Sequence, residues 1–512
     1  MGKLQYINKR LLFYTIICGI GSIVYGWEVG MLNIIYSMRA SFGAKFGLYE
    51  FNPQKKIFDE TEDKNLIEMI VTPSFTVGGI IGSILILYII DRIGRSNSLR
   101  LGSIIYMAGV IVQVCCNNIF TLCLGRFIAG VASGIALGIC PLYLAEIAPK
   151  QVRGTLGIVN PLGLQLGMLF SCLFDTLCLK LITKNMSAQW RTAFAGLLIP
   201  ATLFLLLVWF LPETPRFLLL KNKEDQALKT LAKIRGQGDC HPSVVEEFNE
   251  MNARLKQELS EGICSWKELV QTKNIFYRVV IVSILQLLHM LVGVNAIGYY
   301  STQIYSKYLG ISLAKYGAWL ATLQNLISFI CTLPAMRYIE NVGRKPILKW
   351  GAFGLGVCMV SIYALCHITD SIKDSNKGLS QLTGWLCVLI MYLFSVIYGW
   401  SWSSVVFVWQ AEVFPIRMRA KANSVGTFFQ YIGSLIVGST TTTLMKYLSF
   451  YTFLIYAGFC LISFIFASLC VRETKGLSLE EMEQLYGDSK SADELKVKRE
   501  IDEKKAVNNV ES

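Results

Sequence analysis

The sequence predicts an all-α membrane protein with twelve transmembrane helices arranged as two parallel six-helix repeats. Three observations point there. Of 512 residues, 53% are apolar and only 16% are charged, against about 25% charged in an ordinary soluble domain. The apolar residues fall in long runs, and about 20 such residues are what the roughly 30 Å hydrocarbon core of a bilayer requires. Charged motifs also repeat in order, each six runs apart.

Lys3, Lys9 and Arg10 precede the first run in the manner of a signal peptide. No small-residue cleavage site follows at the usual distance, so the run is read as a retained first helix. Apolar windows recur at 11–35, 66–90, 101–117, 120–145, 156–180, 191–211, 276–300, 316–338, 347–368, 383–408, 422–446 and 450–471, here called spans 1 to 12. Their Gly and Pro content exceeds what soluble helices tolerate but suits membrane helices, whose neighbours pack closely and re-satisfy the backbone. The short alternating segments of a β-barrel are missing. Residues 212–275 mix charges and show helical periodicity around Glu224 to Lys233 and Val244 to Leu259, which reads as a soluble linker. The expected divisions are therefore 1–211, an N-terminal half; 212–275, the linker; 276–471, a C-terminal half; and 472–512, a solvated tail with Lys and Glu interspersed.

The formal charge is +13, from 48 basic and 35 acidic residues. Most charges lie in loops, and no basic patch with interleaved aromatics occurs, which argues against nucleic acid as a partner. The 15 Cys sit mainly inside apolar spans, where thiols behave as small hydrophobes. With three His at no ligand spacing, neither a disulfide framework, a metal site nor a cofactor is expected. Arg92, Arg95 and Arg100 follow span 2, Lys150 and Arg153 follow span 4, Arg344, Lys345 and Lys349 follow span 8, and Arg417, Arg419 and Lys421 follow span 10. The bias of Lys and Arg toward the cytoplasm places these loops and both termini inside. The sequon Asn185-Met186-Ser187 then lies outside, making Asn185 a candidate glycosylation site.

Asp91-Arg92-Ile93-Gly94-Arg95 recurs as Glu340-Asn341-Val342-Gly343-Arg344. Glu146 followed by Arg153 recurs as Glu412 followed by Arg419, and Pro212-Glu213-Thr214 recurs as Arg472-Glu473-Thr474. Six is even, so the halves share one orientation. Parallel repeats about an axis along the membrane normal are a transporter architecture with the substrate near the midplane.

Further motifs join these: Gly125-Arg126-Phe127 followed by Pro141, Tyr143 and Glu146; Trp190-Arg191; Pro212-Glu213-Thr214-Pro215-Arg216; Gly293-Val294-Asn295 followed by Tyr299-Tyr300-Ser301; and Glu473-Thr474-Lys475-Gly476-Leu477. On these residues the chain resembles a sugar porter of the major facilitator superfamily, nearest in its motifs to fungal hexose transporters. The resemblance implies charge pairs at the inner face, drawn from Arg92, Arg95, Glu146 and Arg153 in one half and Arg344, Glu412 and Arg419 in the other. They latch the halves when the pore opens outward and break as it opens inward. Glu28 lies deep in span 1, where a charge needs a partner, a proton or water. Similar transporters place Asp or Asn there, with Asp coupling protons opposite an Arg of span 4; Arg126 matches that Arg.

Sugar recognition needs several polar groups converging from different helices and an aromatic over the ring. Span 7 supplies Gln286, His289 and Asn295, with Gln286 and His289 on one helical face. The family's paired Gln is here His289-Met290. Its span 5 Gln is here Pro161, leaving Gln165 on the same face as a substitute. Trp402 and Phe407 are the aromatic candidates of span 10, and span 11 offers Gln430, Tyr431 and Ser434. The resemblance implies a non-enzymatic transporter that moves a hexose-like monosaccharide or a related polyol by alternating access, as a facilitator or coupled to H+. It would reside in the plasma membrane or an internal one. The alternative is a nutrient sensor on the same fold, which the short stretch of residues 472–512 makes the second choice.

Overall fold

A computed structural model describes residues 8–54, 57–149, 152, 156–260, 268–271, 273–298, 301, 316–372, 377–414, 416–475 and 486. Each of the twelve apolar windows is mainly helical over its described residues. Spans 1 to 5 are Lys9–Ile35, Lys64–Ile93, Arg95–Val114, Ile119–Ile147 and Val159–Leu181. Span 6 runs over Met186–Phe210. Spans 7 to 9 are Lys273–Leu291, Ala318–Val342 and Arg344–Ile372, and spans 11 and 12 are Ile416–Leu448 and Thr452–Leu469. Span 10 departs from the single expected helix: it divides into Lys377–Trp400 and Trp402–Val413, with Ser401 non-helical between them (φ −112°, ψ −83°). Among the described residues, ten helical stretches are long and apolar enough to cross a bilayer, one of them holding both spans 11 and 12. Ala318–Pro334 is a shorter apolar stretch. The chain is an integral, multi-pass membrane protein.

One element was not expected. Between spans 1 and 2, β1 (Tyr49–Asn52) and β2 (Ile57–Glu60) pair antiparallel, with Tyr49 opposite Glu60. Phe51 and Phe58 sit opposite each other with ring centroids 5.3 Å apart, a cross-strand aromatic pair too short in sequence to register as periodicity. This marks the hairpin end of the molecule. The opposite end carries the linker helices Pro215–Leu220, Glu224–Arg235 and Pro242–Ser260, and is called the linker end. Thr214 caps the first of them and Pro215 starts it, a pre-organised helix start. The linker binds the N-terminal half: Arg235 donates to the Ile147 carbonyl at 2.9 Å and forks onto Glu247, while Asn8 donates to the Ile234 carbonyl at 2.7 Å.

Packing inside the halves depends on backbones in contact. A Cβ on Gly26 of span 1 would collide with the Leu164 carbonyl of span 5, and one on Gly167 of span 5 with the Ile23 carbonyl of span 1. Gly130 of span 4 meets the Phe75 carbonyl of span 2 in the same way. The C-terminal half repeats the pattern, span 11 approaching span 7 at Gly433 and span 10 approaching span 8 at Gly399. Dispersion and close approach hold helices together where lipid removes the hydrophobic drive between them. Gly167→Val is therefore expected to destabilise the protein by about 1–3 kcal/mol, read as a lower thermal unfolding temperature in detergent. An unchanged temperature would show that the two spans can move apart without cost.

Candidate functional site

The repeated charge motifs build the same device twice at the linker end. Spans 2 and 8 end at Gly94 and Gly343, whose φ values of 95° and 101° only glycine adopts readily. Spans 3 and 9 begin at the next residue, exposing unsatisfied amide N–H groups. Glu213 receives those of Arg95 (2.9 Å) and Ser96 (3.3 Å), and Glu473 receives those of Arg344 (2.9 Å) and Lys345 (3.0 Å). The Arg that follows each Gly turns to the acid from span 4 or span 10: Arg95 donates to Glu146 at 3.0 Å and Arg344 to Glu412 at 2.7 Å. Both pairs thus close within one half. Arg92 is exposed, while Arg153 and the side chain of Arg419 lie outside the described residues. The sequence showed Glu213 and Glu473 as a repeat without revealing that they cap helices.

Glu28 and Arg126 meet inside the N-terminal half. Arg126 Nη1 lies 3.2 Å from Glu28 Oε1, and both side chains are buried. Tyr106 donates to Glu28 Oε2 at 3.1 Å, and Arg126 Nε donates to the Val71 carbonyl at 3.1 Å. The Phe75 ring lies 5.6 Å from the guanidinium. The pair is fully enclosed by spans 1 to 4 and does not line the cavity described next.

Between the halves lies a cavity walled by spans 1, 5, 7, 8, 10 and 11. Its described lining contains no Asp, Glu, Lys or Arg. Gln165 reaches it from span 5 and also bridges the halves, donating to Ser403 at 2.6 Å and accepting from Thr332 at 3.1 Å. His289 Nε2 is 2.8 Å from the Tyr398 hydroxyl, the two rings lie parallel, and Phe407 stands edge-on to the imidazole. His289 Nδ1 and Gln430 Oε1 are buried without a protein partner, and both residues line the cavity. Asn295 donates only weakly, at 3.4 Å, to Met290 Sδ and Ser434. Buried polar atoms without partners call for an occupant that supplies them. Span 8 adds Gln324, Asn325 and Ser328, which sequence reasoning passed over. Their spacing groups them on one side of a helix, but it does not tell which neighbour that side meets; Gln324 donates to Ser395 of span 10 at 2.9 Å.

Three expected binders stand away from the cavity lining. Gln286 donates to Gln410, which donates in turn to the Asn423 carbonyl at 3.1 Å, a polar ladder toward the linker end. Trp402 is buried against span 9, its Nε1 donating to the Leu348 carbonyl at 3.0 Å. Tyr431 fills the seam between the halves, edge-on to Tyr25 at 6.0 Å and packed on Gly79 of span 2. Asn185 is exposed at the hairpin end, where its side chain caps span 6 by accepting from Ala188 at 3.1 Å.

The hairpin end is closed. Asn33 of span 1 donates to Ser301 at 3.1 Å, and Thr176 of span 5 meets Thr322 of span 8 at 3.1 Å. Thr322 also donates to the Cys172 carbonyl at 3.3 Å, and Thr443 of span 11 to Met69 Sδ of span 2 at 3.2 Å. All are neutral groups.

Comparison with known proteins agrees with this architecture. The profile of the family described as "Sugar (and other) transporter" matches residues 14–486. YwtG of Bacillus subtilis is 30% identical over 471 residues, covering 91% of this chain and 93% of that one. The low-affinity glucose transporter HXT3 of Saccharomyces cerevisiae is 27% identical over 493 residues, 95% and 83% of the two chains. Among solved structures, the proton:xylose symporter XylE bound to 6-bromo-6-deoxy-D-glucose superposes with a TM-score of 0.74 at 23% identity, over 93% of this chain and 99% of that one. At that identity the likeness is one of fold.

Removing one member of a buried ion pair strands the other. Arg126→Gln is expected to cost about 3–5 kcal/mol, seen as a loss of thermal stability in detergent, and adding Glu28→Gln to the same chain to return most of it. Equal stability of the single and double variants would mean that Glu28 finds another partner.

Proposed function

From the chain's membership of the sugar (and other) transporter family, we propose that it carries a hexose-like monosaccharide or a related polyol across its membrane, the two six-helix halves rocking about the cavity between them. The carrying observation is the cavity itself: its described lining is neutral, edged by amides and hydroxyls, flanked by aromatic rings, and holds two buried polar atoms without partners. A charged solute would meet no counter-ion among the described lining residues. A sugar offers many hydroxyls to match the amides and an apolar ring face to lie on Phe407 or Tyr398. HXT3 is named for glucose and XylE for xylose. His289, Gln430, Asn295 and Gln165 would hold the solute. Gln286, Trp402 and Tyr431 would support the walls.

The halves, 1–211 and 276–471, would move as units, with the linker 212–275 riding on the first. The Arg-rich linker end and the tail 472–512 would face the cytoplasm, with Asn185 presented outside for glycosylation. In the closed-hairpin state the cavity would exchange with the cytoplasm. The Arg and Glu pairs at the linker end, each folded back into its own half here, would then exchange partners across the halves when that end closes. Glu28, paired with Arg126 and enclosed by span 3, would take up and release the proton in a coupled cycle. A plasma-membrane location fits uptake of an external sugar.

The test is reconstitution in liposomes and uptake of labelled hexoses, pentoses and polyols, with and without an inward proton gradient. Accumulation of one solute only under the gradient, abolished by Glu28→Gln, is the expected result. Uptake that only equilibrates would make the protein a facilitator and Glu28 structural. A solute that protects the protein against heat but never crosses would turn the reading to a sensor.

A further inference from the structure

Span 5 holds an acid, Asp175, that belongs to neither the ion pairs nor the cavity lining. Asp175 lies ten residues from Gln165, about 15 Å along the helix toward the hairpin end, and is fully buried. Ser171 donates to its Oδ2 at 3.3 Å, and its Oδ1 is buried with no partner. The titratable groups facing it from its own span are the thiols of Cys172 and Cys178. Span 1 passes at Gly30, against Ser171, and its one charge near this level, Glu28, is committed to Arg126. Span 8 brings residues 318–328, which include no acid or base. Span 6 packs at Gly196 on Phe174, and its Arg191 donates to Asn117 instead. Lys180, one turn further along span 5, lies over the Trp319 ring at 5.0 Å.

The position is as telling as the burial. Residues on either side of Asp175 make the contacts that close the hairpin end: Thr176 to Thr322, Thr322 to the Cys172 carbonyl, and Asn325 to Cys172 Sγ at 3.4 Å. A carboxylate without a cation or a full set of donors is costly in a dry membrane interior. A neutral carboxylic acid is not, and it has a proton to offer a neighbouring oxygen.

We propose that Asp175 is a second proton-binding carboxyl, separate from Glu28, which takes one proton from water as the hairpin end closes and returns it when that end opens. This rests on the rocking of the halves but not on which solute they carry. When spans 5 and 8 part at Thr176 and Thr322, water reaches the side chain and the ionised form is stabilised by hydration. Closing removes that water, so the closed state binds one more proton than the open state. Linkage then sets the sign: rising pH favours the open hairpin end and falling pH the closed one, by up to about tenfold in the population ratio per pH unit.

The experiment is a distance measurement by pulsed electron paramagnetic resonance in lipid nanodiscs, without solute. Spin labels are carried by genetically encoded residues replacing Met186 and Tyr447, both exposed at the hairpin end of opposite halves. The wild-type distance is expected to shift from short to long as pH rises. Asp175→Asn, which keeps the shape of the neutral acid, is expected to hold the short distance at every pH. Asp175→Glu is expected to restore the response with a displaced midpoint. Glu28→Gln is expected to leave an Asp175-dependent response in place. A pH response that survives Asp175→Asn unchanged would overturn the proposal, as would a hairpin end that opens with solute but never with pH. If no sugar is transported while the response persists and depends on Asp175, the substrate reading fails and this proposal stands.

Discussion

Among the described residues, the buried ion pairs close inside each half, and the rest of the structure follows from that. Glu28 with Arg126, Arg95 with Glu146, and Arg344 with Glu412 each close within one six-helix unit. The described seam is mainly hydroxyls, amides and aromatic edges, such as Thr176 on Thr322 and Tyr431 beside Tyr25, with Lys180 resting on the Trp319 ring rather than on an acid. A neutral hydrogen bond contributes only about 0.5–1.5 kcal/mol net, whereas separating a buried ion pair costs several times more. Two bodies joined in this way can part and rejoin within thermal reach. Had Glu28 paired across the seam, each opening would strand a charge.

The same constraint shapes the cavity. Because no charged side chain among the described residues lines it, its selectivity must come from hydrogen-bond matching and shape. His289 illustrates the point. The Tyr398 hydroxyl engages Nε2, which leaves Nδ1 as the ring nitrogen without a protein partner, in an imidazole parallel to the Tyr398 ring and met edge-on by Phe407. A Gln at this position would present both a donor and an acceptor; the imidazole presents one nitrogen in a fixed direction. Met290 and Met168 add polarizable apolar surface that adapts to the outline of an occupant.

Much of the fold was legible because lipid imposes a length and a composition on each span, and because gene-scale repetition leaves charged motifs in register. Glu213 and Glu473 were visible as a repeat, but their work as caps depends on the positive φ of Gly94 and Gly343, which only the backbone reveals. The hairpin of Tyr49–Glu60 was hidden by its brevity, and the break of span 10 by the apolar residues that continue on both sides of Ser401. Within the candidate site, type alone separated poorly: Gln286 and Trp402 look like binders in sequence, yet Gln410 and the Leu348 carbonyl engage them in the walls. Gln324, Asn325 and Asp175 went unnoticed because a single polar residue on an apolar helix does not say which neighbour it faces. Helix rotation, fixed by glycine contacts such as Gly26 on Leu164, decides that.

The central claim is that a neutral solute completes the polar groups of the cavity between two self-contained halves. Its most direct test is an electron cryomicroscopy map of the protein in nanodiscs with the solute it transports. The account predicts density within hydrogen-bond reach of His289 Nδ1 and Gln430 Oε1, flanked by Phe407, with the Glu28–Arg126 pair still intact in the N-terminal half. Solute density elsewhere in the molecule, with both of those atoms still unpartnered, would contradict it.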